Sequence, residues 1–561
     1  MKLYEGIAQS LVSEGCEILF GLMGDGNLSL WGEIGRANAI RILSARHEAA
    51  AVAMADGYSR TTAKTGVCTV TCGPGLTQIG TSLSVAVRGG SSLVIIVGDI
   101  PKTERHHAQL MDQRAFVESC GARFMNVTSV DNAMDEIAEA FYAARYYKTA
   151  VVLNVSLDLQ ERAFDWEWDY RPSAVYLGDA IPASDSQSVE TLMSKLIAAE
   201  RPIIVAGRGA MAAKARTEIL ELADRIGALL ATSLQAKDFF LGEEFDLGIS
   251  GAFASAPAEQ LMSEADFVLG VGAQLGYYST EGGLMYPRAE VARIDIKPTR
   301  ESIGFLPGLF VAGDAKRVVA ELNAGLARRG VRKQGYRSAQ TLSILHSPPH
   351  RYEQPADGMD PRLLAREIAK GLPDGVLVTL GAAHFFSFPA MYMPLPAGAE
   401  LQYSYNFQAV GQGLPVAIGV GAGNPGRPHV AIEGDGSLLM HLQELDTVVR
   451  YGMQLVLIIW NDSGFGAEVH KLKVRGFDPA LAQWTSPDFV SIARSFGGDG
   501  ALVKSERDIG PAIRAGLARG GLYVIDARVS PTVLSDYYTK TQYGIPNRAP
   551  RLLPLARNER T

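Results

Sequence analysis

Short apolar runs alternate with amphipathic stretches along the whole chain. "CEILFGL" runs into "MGDGN", and helical periodicity starts near Asn27. "IRILS", "GVCTVTC" and "SSLVIIVGD" are further runs of strand length. Between them, "HEAAAVAMADGYSR" and "GPGLTQIGTSLSVAVRGG" predict helices. This rhythm predicts a parallel sheet covered on both faces. Ligands of such sheets sit beyond the C-terminal ends of the strands. Asp25, Glu48 and Gly73-Pro74-Gly75 all lie in segments that follow strands.

The pattern returns twice. "RPIIVAGRGA", "ADFVLGVGAQL" and "VARIDIKPT" outline a second α/β unit. "GVLVTLGAAH", "HVAIEGDGS" and "QLVLIIWNDSGFG" outline a third. Polar stretches with proline and serine, about 160–190 and 328–358, predict linkers. The fold expected is α/β, with three doubly wound parallel-sheet domains over residues 1–170, 186–330 and 358–561. A chain of 561 residues has ample length for this.

Composition narrows the partners. A net charge of −7 gives no electrostatic footprint for nucleic acid and no polybasic patch for a membrane. Cys16, Cys68, Cys72 and Cys120 form no CxxC pair, so buried thiols in a reducing, cytoplasmic compartment are expected. "MKLYEGIAQSLVSEG" predicts an amphipathic helix and lacks the apolar core of a signal peptide. The apolar stretch 375–395 is interrupted by His384, Pro389 and Pro394, which argues against a membrane span.

The tripeptide Gly-Asp-Gly occurs three times, at 24–26, 434–436 and 498–500. Residues 429–466 are the most informative surroundings. "HVAIE" predicts a buried strand, "SLLMHLQELDTVVRY" a helix, and "QLVLIIW" a second strand ending at Asn461-Asp462. In a right-handed βαβ unit both strand tips point the same way, so Asp435 and Asp462 can converge. Glycines let backbone N–H groups approach an anion there, yet Asp435 would repel a bare pyrophosphate. A divalent cation such as Mg²⁺ removes the conflict. A dinucleotide loop is the competitor, but the third glycine is missing.

On these residues the chain resembles the thiamine diphosphate (ThDP) enzymes of the pyruvate decarboxylase, acetolactate synthase and benzoylformate decarboxylase type. The resemblance implies pyrimidine-binding, central and diphosphate-binding domains in that order. It implies metal ligation by Asp435, by Asp462 (27 residues later, or by Asn461 one position earlier) and by the Gly464 carbonyl. Gly434, Gly436 and Ser437 would line the diphosphate. The family's usual second ligand is Asn, so Asp462 is a departure. "RHEAAAVAMADGYSR" resembles the segment whose glutamate, here Glu48, hydrogen-bonds the aminopyrimidine. "CGPGLTQ" resembles the loop beside that ring, with Gly73, Pro74 and Gln78. "NFQAVGQGLPVAIG" resembles the segment that bends the cofactor, with Val410 as the wedge and the Gln408 carbonyl as an acceptor. His384 lies in a region that approaches the diphosphate in relatives. The N-terminal domain of one chain serves the cofactor held by another, so a homodimer or homotetramer is implied. FAD or ADP in the central domain is a family possibility.

Three features resemble pyruvate decarboxylases. Asp25 matches their loop aspartate, His106-His107 their histidine pair, and Glu468, six residues after Asp462, their second carboxylate. Taken singly, Asp25 could cap a helix, the histidines could be a polar loop and Glu468 a solvated helix residue. "HAQLMDQ" loosely resembles a stretch of acetolactate synthases, with Gln109 at the glutamine. The reaction implied is Mg²⁺- and ThDP-dependent, non-oxidative decarboxylation of a 2-oxo acid through an enamine, with carboligase activity. The alternatives are an acetolactate synthase-like carboligase or 2-hydroxyacyl-CoA lyase, accepting an aldehyde, ketone or acyl-CoA, or a non-catalytic scaffold or regulatory subunit of the same fold. Gly498-Asp499-Gly500 reads as a turn, and the tail "SDYYTKTQYGIPNRAPRLLPL" as a segment that could cover the site.

Overall fold

The computed structural model describes residues 1–104, 106–178, 184–297, 308–347 and 352–541. Contacts divide the chain into two units. One comprises Met1–Gly178, Pro355–Phe386 and Leu395–Val533, the other Asp179–Gln354, Ser387–Pro394 and the residues from Leu534 on.

The first unit holds two six-stranded sheets. The N-terminal one consists of β1 (Ile18–Gly21), β2 (Arg41–Ser44), β3 (Gly66–Val70), β4 (Leu93–Asp99), β5 (Arg123–Asn126) and β6 (Ala150–Ser156), in the order β2-β1-β3-β4-β6-β5. The second unit holds β7 (Pro202–Ala206), β8 (Leu229–Thr232), β9 (Asp246–Ile249), β10 (Phe267–Val271), β11 (Glu290–Asp295) and β12 (Leu309–Ala312), in the order β12-β11-β10-β7-β8-β9. The C-terminal sheet of the first unit consists of β13 (Leu377–Leu380), β14 (Glu400–Tyr403), β15 (His429–Gly434), β16 (Leu455–Asn461), β17 (Asp499–Val503) and β18 (Leu522–Arg528), in the order β14-β13-β15-β16-β18-β17. All three sheets are parallel, as the alternating pattern predicts. The N- and C-terminal sheets share one strand order, a repeat of topology that no short-period sequence repeat announces.

These two sheets share one core. Phe20, Leu43, Met54 and Cys68 from the N-terminal half join Leu414, Ile418 and Leu457 from the C-terminal half in a single buried cluster. The seam is a helix crossing between α1 (Glu48–Thr62) and α2 (Gly413–Gly423). A methyl group on Gly57 would lie 2.2 Å from the Val416 carbonyl oxygen, and one on Gly419 only 1.8 Å from that of Met54. Backbones meet here because both contact positions lack a side chain.

Several expectations need correction. The third Gly-Asp-Gly is not a turn: Asp499 and Gly500 open edge strand β17, and Asp499 pairs with Arg494. The helix expected from Ser437 to Tyr451 is broken into α3 (Asp435–Leu439) and α4 (Glu444–Arg450). Between them the chain makes tighter i→i+3 bonds, His441 N to Leu438 O and Glu444 N to His441 O, while His441 and Glu444 are buried against the N-terminal half. Tertiary contacts override helix propensity at that point. The first linker carries a 3₁₀ turn, Ser173–Tyr176, and the second a short helix, Ala339–Leu345. From residue 542 the tail lies outside the described residues. Among the described residues no helix is long and apolar enough to cross a membrane.

Candidate functional site

In the N-terminal half, β1 leads into a single 3₁₀ turn, Asp25–Asn27. Asn27 fixes this loop: its Oδ1 accepts Gly24 N at 2.8 Å, and its Nδ2 donates to Leu22 O at 3.1 Å and Thr69 Oγ1 at 3.2 Å. Thr71 Oγ1 accepts Gly26 N at 3.0 Å, and Gln160 Nε2 donates to Gly26 O at 2.9 Å. The backbone is therefore locked while the Asp25 side chain stays exposed and caps no helix.

Glu48 opens α1, half-buried, behind His47, whose Nδ1 accepts Ala49 N at 3.1 Å. A methyl on Gly75 would lie 3.6 Å from Glu48 Oε1 and 2.6 Å from Thr71 Cγ2, so the glutamate faces the Gly73-Pro74-Gly75 turn. Gly73 takes a φ of +58°, natural for glycine. Its N–H donates to Gln113 Oε1 at 3.1 Å, and Gln113 Nε2 donates to Gly98 O and Asn154 Oδ1. Asn154 Nδ2 in turn reaches Asp99 Oδ2 and Asn126 Oδ1. Sequence reading missed this buried network; its one signal is an asparagine inside the apolar run "AVVLNVS". Pro74 and Gln78 lie on the exposed side of the turn. Cys72 is buried and its thiol donates to Gln109 Oε1 at 3.0 Å. His106 is exposed and His107 accepts Gln109 N at 3.1 Å; neither histidine bonds to Asp25 or Glu48.

In the C-terminal half, β15 and β16 pair with Gly434 opposite Trp460, which sets their tips side by side. Asp435 begins α3 and Asp462 follows β16; their side chains lie against each other. Burial pushes the Asp435 carboxyl up to about 6. Burial, then the charge of Asp435, holds Asp462 well above the usual carboxylate range. Asn461 has other partners: its Nδ2 donates to Asp526 Oδ1 at 2.8 Å, and its Oδ1 accepts Ser463 N at 3.1 Å and, at 2.8 Å, the Ser486 hydroxyl, which also lies 3.4 Å from Asp435 Oδ2. Asp462 meets Asp435 directly, and Asn461 reaches it only through Ser486. A methyl on Gly466 would meet Asp462 Oδ2 at 2.3 Å and His384 Nδ1 at 3.1 Å, so these two share one corner. Burial pushes His384 down to about 3, which keeps it neutral, and its ring centre is 5.0 Å from that of His470. Gly436 has no room for a side chain, with Phe465 Cε1 and Trp484 Cη2 both 2.8 Å from a methyl there. Among the described residues no three His, Cys, Asp or Glu side chains group as metal ligands.

Gln408 sits in the left-handed region at φ +54°, a strained backbone for a non-glycine residue. Val410 is half-buried, and Gly411 N donates to Ser437 Oγ at 2.8 Å. Gly464 bridges to Gln483. Glu468, in the first turn of α5 (Gly466–Val474), is exposed and pairs with Lys471 at 3.3 Å. The turn before Glu48 is pinned to the C-terminal half, with Arg46 N on Glu444 Oε1 at 3.0 Å and Ser44 N on Tyr451 OH at 2.8 Å.

Both of these halves lie in segments that match known sequences. Models of the thiamine pyrophosphate enzymes match three segments: the N-terminal TPP binding domain over residues 1–118, the central domain over 189–322 and the C-terminal TPP binding domain over 385–527. The chain belongs to the ThDP-dependent enzymes. It is 26% identical over 524 residues to the acetolactate synthase large subunit of Haemophilus influenzae, covering 90% of each chain. It is 27% identical over 566 residues to a probable acetolactate synthase large subunit of Methanocaldococcus jannaschii, covering 95% of this chain and 92% of that one. It is 26% identical over 539 residues to a probable 2-ketoarginine decarboxylase of Pseudomonas aeruginosa, covering 93% of both.

Proposed function

We propose that this enzyme decarboxylates a 2-oxo acid non-oxidatively, using ThDP and Mg²⁺, with carboligase activity alongside. The observation that carries the reading is the Asp435–Asp462 pair, the first buried and the second half-buried, at the tips of two parallel strands. Two carboxyls pressed together under burial favour a cation between them. With no third His, Cys, Asp or Glu grouped with the pair among the described residues, the Gly464 carbonyl, phosphate oxygens and water would complete the shell, which suits Mg²⁺. Gly434, Gly436 and Ser437 would line the diphosphate, and His384 would stand beside it as a neutral group. ThDP, when bound, supplies the carbanion chemistry that breaks a bond next to a carbonyl. Glu48 would hold a proton at the aminopyrimidine nitrogen, with Gly73, Pro74 and Gln78 lining that ring. Val410 would wedge beneath the rings, and the Gln408 carbonyl would accept the amino group.

The chain would act as at least a homodimer, with Glu48 of one copy serving the cofactor held by Asp435 of another. Exposed Met23, Leu28 and Leu110 near Asp25, and exposed Phe407, Leu439, Met440 and Phe465 near the strand tips, support a covered surface. Asp25, with His106, His107 and Glu468, would manage protons at the reacting carbon. Replacing Asp25 by Asn or Glu468 by Gln should then slow product release more than loss of the cofactor's C2 proton; equal slowing of both steps would count against that division. The central sheet reverses its strand order between β7 and β10, the crevice where FAD or ADP would bind.

The acetolactate synthase relatives favour a second reading, a carboligase that joins two 2-oxo acids. Incubation with Mg²⁺-ThDP and a panel of 2-oxo acids, with and without aldehydes and acyl-CoA thioesters, separates the two. Free aldehyde supports decarboxylation; acyloin or acetolactate as the main product supports ligation; no product with any substrate favours a non-catalytic role.

The acidic pair also makes binding pH-dependent. A raised carboxyl pKa means the cation-free fold retains protons that binding must displace. Stability from such carboxyls is greatest below about pH 4 and is lost as pH rises through about 6 for Asp435. His384, His429 and His441, driven below their usual value by burial, act in the opposite direction, and those remote from the pair cancel when loaded and unloaded protein are compared. The rise in melting temperature given by Mg²⁺-ThDP should therefore grow from pH 5 to pH 8. A rise independent of pH would mean the pair does not meet the cation.

A further inference from the structure

Glu433 occupies the last strand position before Gly434, is 1% exposed, and none of the groups named so far explains it. Among the described residues no lysine or arginine pairs with it. Its partners are hydrogen-bond donors from three directions. Oε2 accepts Leu414 N at 3.1 Å, with Gly413 N beside it, at the start of α2. Oε1 accepts Gly434 N at 3.3 Å. The Ser437 side chain lies against the same carboxylate, and its hydroxyl accepts Gly411 N at 2.8 Å. A methyl on Gly381 or on Gly413 would lie 2.0 Å from a Glu433 oxygen. The tips of β13 and β15, the start of α2 and the turn into α3 thus close around one carboxylate.

The strand that carries it, "HVAIEG", is otherwise suited to apolar packing, and a buried charge without a cation is costly there. Such a residue contributes little that an aliphatic side chain would not, as far as the core is concerned. What it adds is geometry. The two segments it joins are Gln408–Gly413 and Gly434–Ser437, which under the proposed function hold the bent rings and the diphosphate. We infer that Glu433 is a positioning residue: its carboxylate, directly and through Ser437, locks the Gln408–Gly413 segment to the Gly434–Ser437 turn, so that the two parts of the cofactor cradle keep one relative geometry. The cofactor half of this inference rests on the ThDP reading; the locking itself does not.

The test uses the full chain as Glu433→Gln, Ser437→Ala and the double variant. A glutamine fills the same space but turns an amide N–H₂ toward backbone donors. Amide hydrogen exchange of cofactor-free protein over residues 408–414 reads the lock, and calorimetry with Mg²⁺ and ThDP reads its consequence. Expected for Glu433→Gln is at least tenfold faster exchange at Gly411 and Leu414, and at least tenfold weaker ThDP binding. Ser437→Ala should speed exchange at Gly411 but not at Leu414. The double variant should bind no worse than about the Glu433→Gln single, because both act on one lock. Should Glu433→Gln fail to fold, the selective effect of Ser437→Ala on Gly411 still decides. Unchanged exchange at Gly411 in both variants, or losses of affinity that multiply, would overturn the inference. A lower melting temperature with unaltered ThDP affinity would reduce Glu433 to a structural role. If the native chain binds no ThDP the function fails, and the exchange measurement still judges the lock.

Discussion

Glu48→Gln should slow loss of the C2 proton from bound ThDP by at least ~10²-fold, the lower bound for a positioned acid–base group. ThDP affinity should change much less. Glu48 opens α1 with its carboxylate against the Gly73–Gly75 turn, and the turn before it is pinned by Glu444 and Tyr451. An amide fits the same space but cannot share a proton with a ring nitrogen. Proton–deuterium exchange at C2, followed by quenched NMR, separates activation from binding. Native exchange in the variant would remove Glu48 from this role.

Asp435→Ala should fail differently. Without that carboxylate the pair at the strand tips becomes a single acid, and Mg²⁺-dependent ThDP affinity should fall on the order of 10²-fold or more. The fold itself should gain, since the substitution relieves a buried like-charge contact with Asp462. A higher melting temperature without cofactor, together with lost binding, is the expected signature. Equal affinity with and without the change would move the metal elsewhere. Asn461→Ala should weaken binding less, because its amide is spent on Asp526, Ser463 and Ser486.

Strand and helix periodicity was enough to reveal three parallel sheets, because strands buried on both faces are written as unbroken apolar runs. The helix broken at Met440–Gln443 was not legible, since contacts from sequence-distant residues decide it. The edge strand from Asp499 read as a turn because glycine and aspartate favour turns, while its neighbour β18 accepts them in a strand. That Asp435 and the end of the next strand converge was legible from the βαβ pattern, but which of Asn461 and Asp462 meets Asp435 was not. The residues that hold the loops, Asn27, Gln113 and Glu433, were not. Their meaning lies in which backbone donors they meet, and a lone buried polar residue in an apolar run does not disclose its partners.

The proposal that the strand-tip acids bind a metal-diphosphate cofactor is tested most directly by titrating the native chain with ThDP in a calorimeter, with Mg²⁺ and then with a chelator. The account predicts saturable binding of one ThDP per chain that requires the cation. No binding with Mg²⁺, or binding of equal strength in the chelator, would contradict it.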